Sequence, residues 1–169
     1  MSERSPAPGA LTLVQSLVNT VDLESGADSL DTAEGRALFG LTEDEVAAAR
    51  VLRESLRGAL LAHAGHPPHR AVAPLGELLA GAPLVLAVTV SDGSAVFVPA
   101  DPGPLLSRVA VAVAGGLVDG TWSRLKACEA VDCHWAYYDR SPGGRGRWCS
   151  MQVCGARAKM RRYRARGAP

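Results

Sequence analysis

The 169-residue chain is poor in aromatic residues, which make up 5% of it, although hydrophobic residues make up 47%. Its core must therefore be built mainly from alanine, leucine and valine. No apolar run is long enough to span a bilayer, and the N-terminal stretch lacks the uninterrupted apolar segment of a secretory signal. We therefore expect a globular, cytoplasmic protein without membrane attachment.

Motifs of the common enzyme classes are also missing. The chain has no nucleophile elbow, phosphate-binding loop or metal-hydrolase motif, and no paired carboxylates at a recognisable spacing. Three histidines, His63, His66 and His69, lie at the end of a predicted helix. Two prolines break their register and no acid or cysteine lies nearby, so a solvated loop is favoured over a metal site. The sequence indicates a protein that is not an enzyme.

Cysteine is absent before residue 128, and all four cysteines lie between residues 128 and 154. They form two Cys-x4-Cys pairs separated by fifteen residues, Cys128 with Cys133 and Cys149 with Cys154. Two such loops can present four sulfurs to one tetrahedral zinc ion, in a closed site that would be structural. Disulfides and free or redox-active thiols are the alternatives. We favour zinc because the cytoplasm keeps thiols reduced.

Acidic residues are scarce in the C-terminal part of the chain. Residues 120–169 contain 11 Lys and Arg against 3 Asp and Glu, whereas residues 1–119 contain 7 against 14. An acidic body joined to a basic end indicates that only the end meets a polyanion. The same charges would also attract the two parts to each other, which gives autoinhibition as a further hypothesis.

The segment from Gly155 to Arg166 contains good helix formers and no acid. Helical spacing places its cations on two flanks, where they would neutralise phosphates on either side of a nucleic-acid groove. A solvated basic tail that binds nothing specific is the alternative. The candidate nucleic-acid contacts are Arg157, Lys159, Arg161, Arg162, Arg164 and Arg166.

The run RWCSMQVCGARAK, with the Cys-x4-Cys pair before it, resembles the signature of the CGNR zinc finger family over residues 125–166. The resemblance implies that the module binds DNA, with Arg157 and Lys159 in the basic role. Ala156 stands where the family has asparagine, so the resemblance gives this position no role in reading the DNA sequence. The zinc ligands that it implies are Cys128, Cys133, Cys149 and Cys154.

Asn19 and Thr20 follow a predicted first helix and resemble the Asn-Thr pair of the ABATE domain that is usually found upstream of this zinc finger. The resemblance implies a stress- or ligand-responsive body. A buried pocket near Asn19 and Asp22 would favour ligand binding, and we treat these two residues as candidate ligand contacts. A polar helix end explains the Asn-Thr pair equally well.

Hydrophobic periodicity and turn signals predict an α+β protein. A mainly helical N-terminal domain with a β-hairpin precedes a small treble-clef-like zinc finger with four cysteine ligands, which ends in the basic helix. We expect disorder over residues 1–9, an ABATE-like regulatory α+β domain over 10–120 and the CGNR-type zinc finger over 121–169.

The core helix of the body is expected to begin at a capping box formed by Thr42 and Glu45 and to end near Ala64. Its charged residues, Arg50, Arg53, Glu54 and Arg57, would face solvent. The other expected elements are a short helix from Leu11, a polar loop over 22–40, a short helix over 74–81, a hairpin around Asp92-Gly93, a buried helix over 103–119, and a finger ribbon made by His134–Tyr138 and the returning Arg147-Trp148.

These features make a zinc-dependent DNA-binding transcription regulator the leading hypothesis, with RNA not distinguished from DNA as the partner. Because one small module binds weakly, we expect a homodimer or a partner protein. One alternative is a body that binds a small-molecule effector, with the finger as a structural clip. Another is a redox or zinc sensor in which thiolate oxidation releases the metal.

Overall fold

The computed structural model describes residues 6–166, so residues 1–5 of the predicted disordered segment lie outside the described residues. Helices and short strands both occur along the chain, which confirms the predicted α+β fold. The helices are α1 (Leu11–Val18), α2 (Ala33–Ala37), α3 (Val46–His63), α4 (Leu75–Leu79), α5 (Leu105–Val118) and α6 (Ala156–Arg166). The strands are β1 (Leu84–Val88), β2 (Ala95–Pro99), β3 (Leu125–Ala127) and β4 (Ala136–Tyr138).

The hydrophobic core lies where α1, α3 and α5 pack together, and it extends to β3 and β4. Gly116 allows α5 to approach α1 closely, because a Cβ at this position would lie 3.0 Å from the Leu11 side chain. Within residues 6–166 no helix is long and apolar enough to cross a bilayer. Fully buried core residues include Val14, Leu17, Val18, Leu56, Leu60, Val109 and Leu125.

Helix α3 begins at Val46, later than predicted, because only half of the capping box forms. The Glu45 carboxylate accepts from the Thr42 amide at 2.8 Å, as expected, but the Thr42 hydroxyl also donates to that carboxylate at 2.8 Å. The hydroxyl therefore does not cap the Glu45 amide. The helix ends at His63, one residue before the predicted end.

The prediction of a solvated charged face on α3 is wrong for three of its four residues. Arg53, Glu54 and Arg57 are only 5%, 6% and 1% exposed. Arg53 Nη1 donates to Asp28 Oδ2 at 2.7 Å, and Arg57 Nη2 donates to the Val18 carbonyl at 2.6 Å. Buried ion pairs and a backbone acceptor therefore contact these side chains, and a neighbouring segment covers Arg53.

That covering segment lies within residues 20–40, most of which the sequence predicts as a polar loop. It contains a β-bridge between Val21 and Asp28, a 3-10 helix over Ser29–Asp31 and the helix α2. Leu30 is fully buried and anchors the segment on the core. The predicted loop is therefore a structured cover for α3.

Strands β1 and β2 form the predicted hairpin and pair antiparallel from Leu84↔Pro99 to Val88↔Ala95. Gly93 in the turn has a φ of 69°, a conformation that favours glycine. The hairpin packs on α5, which confirms the predicted buried helix in this region.

The C-terminal part of the chain is built on a second antiparallel hairpin, in which Leu125 of β3 pairs with Tyr138 of β4. The prediction that Arg147-Trp148 forms the ribbon with the strand at His134–Tyr138 is wrong. β4 pairs instead with β3, which precedes the first cysteine pair, because that pair forms the connection between the two strands. The Arg147 carbonyl accepts from the Glu129 amide at 3.0 Å, so Arg147 contacts the loop between β3 and β4 without extending the hairpin.

Candidate metal centre and nucleic-acid interface

The four cysteine sulfurs form a single cluster. The Sγ atoms of Cys128, Cys133, Cys149 and Cys154 all lie within 4.8 Å of one another. Cys133 and Cys149 are 3.7 Å apart at sulfur, and so are Cys149 and Cys154. Four sulfurs at about 2.3 Å from a tetrahedral ion would be about 3.8 Å apart, whereas a disulfide requires about 2.05 Å. The cluster therefore has the geometry and donors of a four-coordinate metal site.

The thiol pKa values show what this crowding does to charge. Hydrogen bonds from the thiols of Cys133 and Cys149 lower the pKa of Cys128 to about 4. The hydrogen bond to Cys128 in turn raises the pKa of Cys133 and of Cys149, and burial raises the pKa of Cys154. One thiolate is therefore favoured, and a divalent cation is needed for all four sulfurs to ionise together.

Two local structures present the sulfurs. Cys128 follows β3 directly, and its amide donates to the Trp135 carbonyl at 3.0 Å, which closes the turn that holds Cys133. Cys154 lies in a π-helical turn over Met151–Gly155 that leads straight into α6. The first cysteine pair thus lies in a hairpin turn and the second at the start of a helix, which is a treble-clef-like order.

Ion pairs hold the loop between the two cysteine pairs. Lys126 Nζ donates to Asp139 Oδ2 at 2.9 Å, and both side chains are buried. The same carboxylate oxygen accepts from the Gly146 amide at 2.7 Å. At the surface, the Arg147 guanidinium pairs with both carboxylate oxygens of Glu129. The second cysteine pair is therefore held against the first by polar contacts independent of the sulfurs.

Helix α6 carries the predicted nucleic-acid residues, and none of its side chains is buried. Ala156 begins the helix, and Ala158 is half-buried beside Trp148. Two of the cations have acidic neighbours: Arg157 lies 3.1 Å from Glu24 of the body, and Arg161 lies 4.0 Å from Asp132. The exposed cations are Arg157, Lys159, Arg161, Arg162, Arg164 and Arg166.

Two family models match the two parts of this arrangement. The CGNR zinc finger model matches residues 124–167, which hold the sulfur cluster and α6. The ABATE model, described as "putative stress-induced transcription regulator", matches residues 11–120, about two thirds of the chain. The chain belongs to the ABATE family. A search of curated proteins finds no match. The family resemblance predicted from the sequence motifs is confirmed, and the segments before and after residue 120 are called the ABATE part and the CGNR finger below.

The ABATE part binds the CGNR finger through hydrogen bonds of Asn19, at the end of α1. Asn19 Oδ1 accepts from the Ala136 amide at 2.7 Å, and Asn19 Nδ2 donates to the Ala136 carbonyl at 2.9 Å. Gln15, one turn earlier, donates to the same carbonyl at 3.4 Å. Asn19, predicted as a candidate ligand contact, therefore binds the backbone of β4.

The end of α3 and the loop after it form the second contact between the two parts, and the prediction of a solvated loop is wrong for the histidines, which are half-buried. His63 Nδ1 lies 2.8 Å from the Leu125 carbonyl, and the His69 ring lies 5.3 Å from the His134 ring. Burial lowers the pKa of His69 below its usual value. His134 Nδ1 lies 2.9 Å from the Cys128 carbonyl. Sequence spacing gives no signal for these contacts, because they join distant parts of the chain.

An open cleft of about 640 Å³ lies between α1 and the CGNR finger. Asn19 and Asp22 line its ABATE side, but the cleft is open, whereas the ligand-binding hypothesis called for a buried pocket. Asp22 is exposed, and its Oδ1 accepts from the Glu24 amide at 2.9 Å. Both candidate residues thus already have partners within the chain. The finger side is lined by Asp132, Cys133, Trp135, Cys154 and Arg157.

Proposed function

We propose that the protein is a DNA-binding transcription regulator in which one structural zinc ion, held by Cys128, Cys133, Cys149 and Cys154, fixes the start of a DNA-contacting helix. The observation that carries the proposal is the junction at Cys154. This sulfur belongs to the cluster, and two residues later α6 begins with no buried side chain. In the reducing cytoplasm the thiolates would stay available to the metal.

Electrostatics supports α6 as the contacting element. A zinc ion with four thiolates carries net negative charge, and its place at the N-terminus of α6 matches the positive end of the helix dipole. The cations farther along the helix are exposed and have no acid among them in the sequence. Such side chains bind by displacing counterions from phosphates, which gives affinity without much sequence preference. Arg157, the cation nearest the metal, is our first candidate for a base contact.

The direct test is equilibrium binding of the zinc-loaded chain to a fluorescent random-sequence duplex, followed by selection of preferred sites. We expect the logarithm of the binding constant to fall linearly with the logarithm of the salt concentration. The slope should be about −3 to −5 if most of the six cations contact phosphates. Unlabelled RNA serves as competitor. Displacement by RNA at far lower concentrations than by DNA would identify RNA as the partner, and the absence of binding to either would refute the proposal.

The cleft beside α1 favours a second function, binding of a small-molecule effector by the ABATE part. Its volume lies in the range of small-molecule sites, and its walls come from both parts of the chain. An occupant would lie next to the contact between Glu24 and Arg157, and so would act on the DNA-binding helix. Thermal-shift screening of small molecules with the wild-type chain and with Ser16→Trp tests this function. The tryptophan would fill the cleft from the exposed face of α1, so a ligand of the cleft should stabilise only the wild type. A ligand that stabilises both proteins equally binds elsewhere.

A further inference from the structure

The β1–β2 hairpin has an unusual composition for a surface element. The strand sequences LVLAV and AVFVP contain no polar side chain on either face. Strands that are apolar on both faces are typical of sheets covered on both sides, whereas a half-solvated antiparallel strand alternates apolar and polar residues. The composition therefore predicts a cover on each face of this hairpin.

The structure leaves both faces incompletely covered. Leu86 pairs directly with Phe97 across the hairpin, and with Val88 they share one face; their exposures are 58%, 41% and 59%. On the opposite face, Val85 and Val96 are 50% and 59% exposed. Within residues 6–166, no residue of either strand belongs to the buried core, although α5 packs against the hairpin.

The backbone of the hairpin is equally unpartnered. The sheet has two strands, so the outer edges of β1 and β2 pair with no third strand within the described part of the chain. A two-stranded hairpin is marginally stable in water unless another layer or strand supports it. Exposed edges and apolar side chains together are the features that promote strand pairing between chains.

We propose that this hairpin is a self-association surface on which a second copy of the chain docks by a twofold axis. Charge argues for this occupant: Asp92 is the only charged residue between residues 82 and 100, so the surface offers nothing to a nucleic acid or a charged peptide. An uncharged patch also meets its own copy without repulsion. An edge strand can pair antiparallel with its own copy about a twofold axis, which gives a closed, self-complementary interface.

The available apolar area is that of a weak dimer. The exposed apolar side chains of the two hairpin faces together present on the order of 500 Å² per chain, which is less than the roughly 800 Å² per partner of a standard interface. Burial of the strand edge and the adjoining loop would add area, and hydrogen bonds along a shared strand edge would add affinity. The proposal rests on the proposed function for its purpose, since two CGNR fingers in one assembly bind two half-sites. The association itself is measurable without DNA.

The test is sedimentation equilibrium of the zinc-loaded full chain without nucleic acid, over concentrations from about 1 to 100 µM. We expect a monomer–dimer equilibrium with a Kd near 10 µM or tighter. Leu86→Lys and, separately, Val88→Lys should each weaken it at least about 30-fold, because both place a charge in the interface. Leu38→Lys is the matched control, since Leu38 is 79% exposed and lies outside the hairpin.

Circular dichroism and zinc content establish that each variant is folded, and two independent variants keep the test decisive if one is not. A wild-type chain that remains monomeric at about 100 µM would overturn the proposal and point to a different partner. So would a folded Leu86→Lys or Val88→Lys variant that dimerises as tightly as Leu38→Lys. Because no DNA is present, failure here leaves the proposed DNA binding untouched.

Discussion

The side-chain amide of Asn19 pairs with the backbone of Ala136 as a neighbouring strand would, donating to its carbonyl at 2.9 Å and accepting from its amide at 2.7 Å. These residues lie 117 positions apart, one at the end of α1 and the other in β4. Two hydrogen bonds of this kind fix both distance and orientation. Asn19 therefore sets the position of the CGNR finger against the ABATE part.

Replacing Asn19 by Ala should destabilise the protein by about 1–3 kcal/mol, because the Ala136 amide loses its acceptor in a partly buried place. Denaturant unfolding monitored by circular dichroism measures the change. Ser16→Ala, an exposed change on the same helix, is the control and should lie within about 0.5 kcal/mol of wild type. Equal stability of the two variants would show that the Asn19 pairing contributes nothing.

The contact between Glu24 and Arg157 predicts mild autoinhibition. The Glu24 carboxylate lies 3.1 Å from the Arg157 guanidinium, so a DNA phosphate must compete with it. Glu24→Gln should tighten DNA binding about 2- to 5-fold at low salt, since exposed ion pairs contribute up to about 1 kcal/mol. Glu34→Gln makes the same charge change on α2. If both variants bind DNA alike, the contact does not restrain α6.

Arg161 and Arg162 should each neutralise one phosphate. Replacing both by Ala is expected to weaken binding to all duplexes and to reduce the salt slope by about two. Anisotropy titrations at several salt concentrations give the slope. Changing two arginines of the ABATE part, Arg36 and Arg70, to Ala removes the same charge away from α6. A slope that falls equally in both double variants would mean that general charge, and not α6, drives binding.

The buried pair of Asp28 and Arg53 makes stability depend on pH. Burial by itself raises the pKa of Asp28. Hydrogen bonds from Arg53, the Leu30 amide and Arg50 lower it by more than burial raises it, so the pKa lies below its usual value. A carboxyl whose pKa is lower in the folded state stabilises the fold above its unfolded pKa, about 3.9, and this contribution is lost as pH falls further.

Asp28→Asn keeps an acceptor for the Leu30 amide and removes the charge. We expect a loss of about 2–4 kcal/mol at pH 7 that shrinks below about pH 4, where wild-type Asp28 also becomes protonated. Urea unfolding across this pH range measures it, with Asp31→Asn, which is largely exposed, as control. If the difference in unfolding free energy between Asp28→Asn and wild type does not change with pH, the charge of the Asp28 carboxylate is not its source.

Local pattern was sufficient to predict the features that depend on neighbouring residues. Spacing alone brought the four cysteines together as candidate ligands, and the Asp92-Gly93 turn located the first hairpin. The charge pattern after Cys154 likewise indicated an exposed basic helix, α6. These features depend on residues within a few turns or strands of each other, so periodicity and turn chemistry determine them.

Features set by distant contacts could not be predicted. Arg57 is a charged residue on a surface-like stripe of α3, yet it is buried, because it donates to the Val18 carbonyl of α1 and pairs with Glu54. The sequence places His69 in a solvated loop, but in the structure His134 of the CGNR finger packs against it. Strand β4 could not be assigned its partner β3, because both candidate partners lie at hairpin distance in the sequence. Tertiary packing overrides local pattern in each case.

Metal content tests the central claim most directly. Protein purified under reducing conditions without added metal should contain one zinc ion per chain by elemental analysis, because four thiolates complete a tetrahedral site. Cys149→Ser should lose most of the zinc and the order of the CGNR finger while the helices of the ABATE part remain, whereas Ser150→Ala should retain both. A wild-type chain free of metal, or Cys149→Ser with a full complement of zinc, would contradict the account.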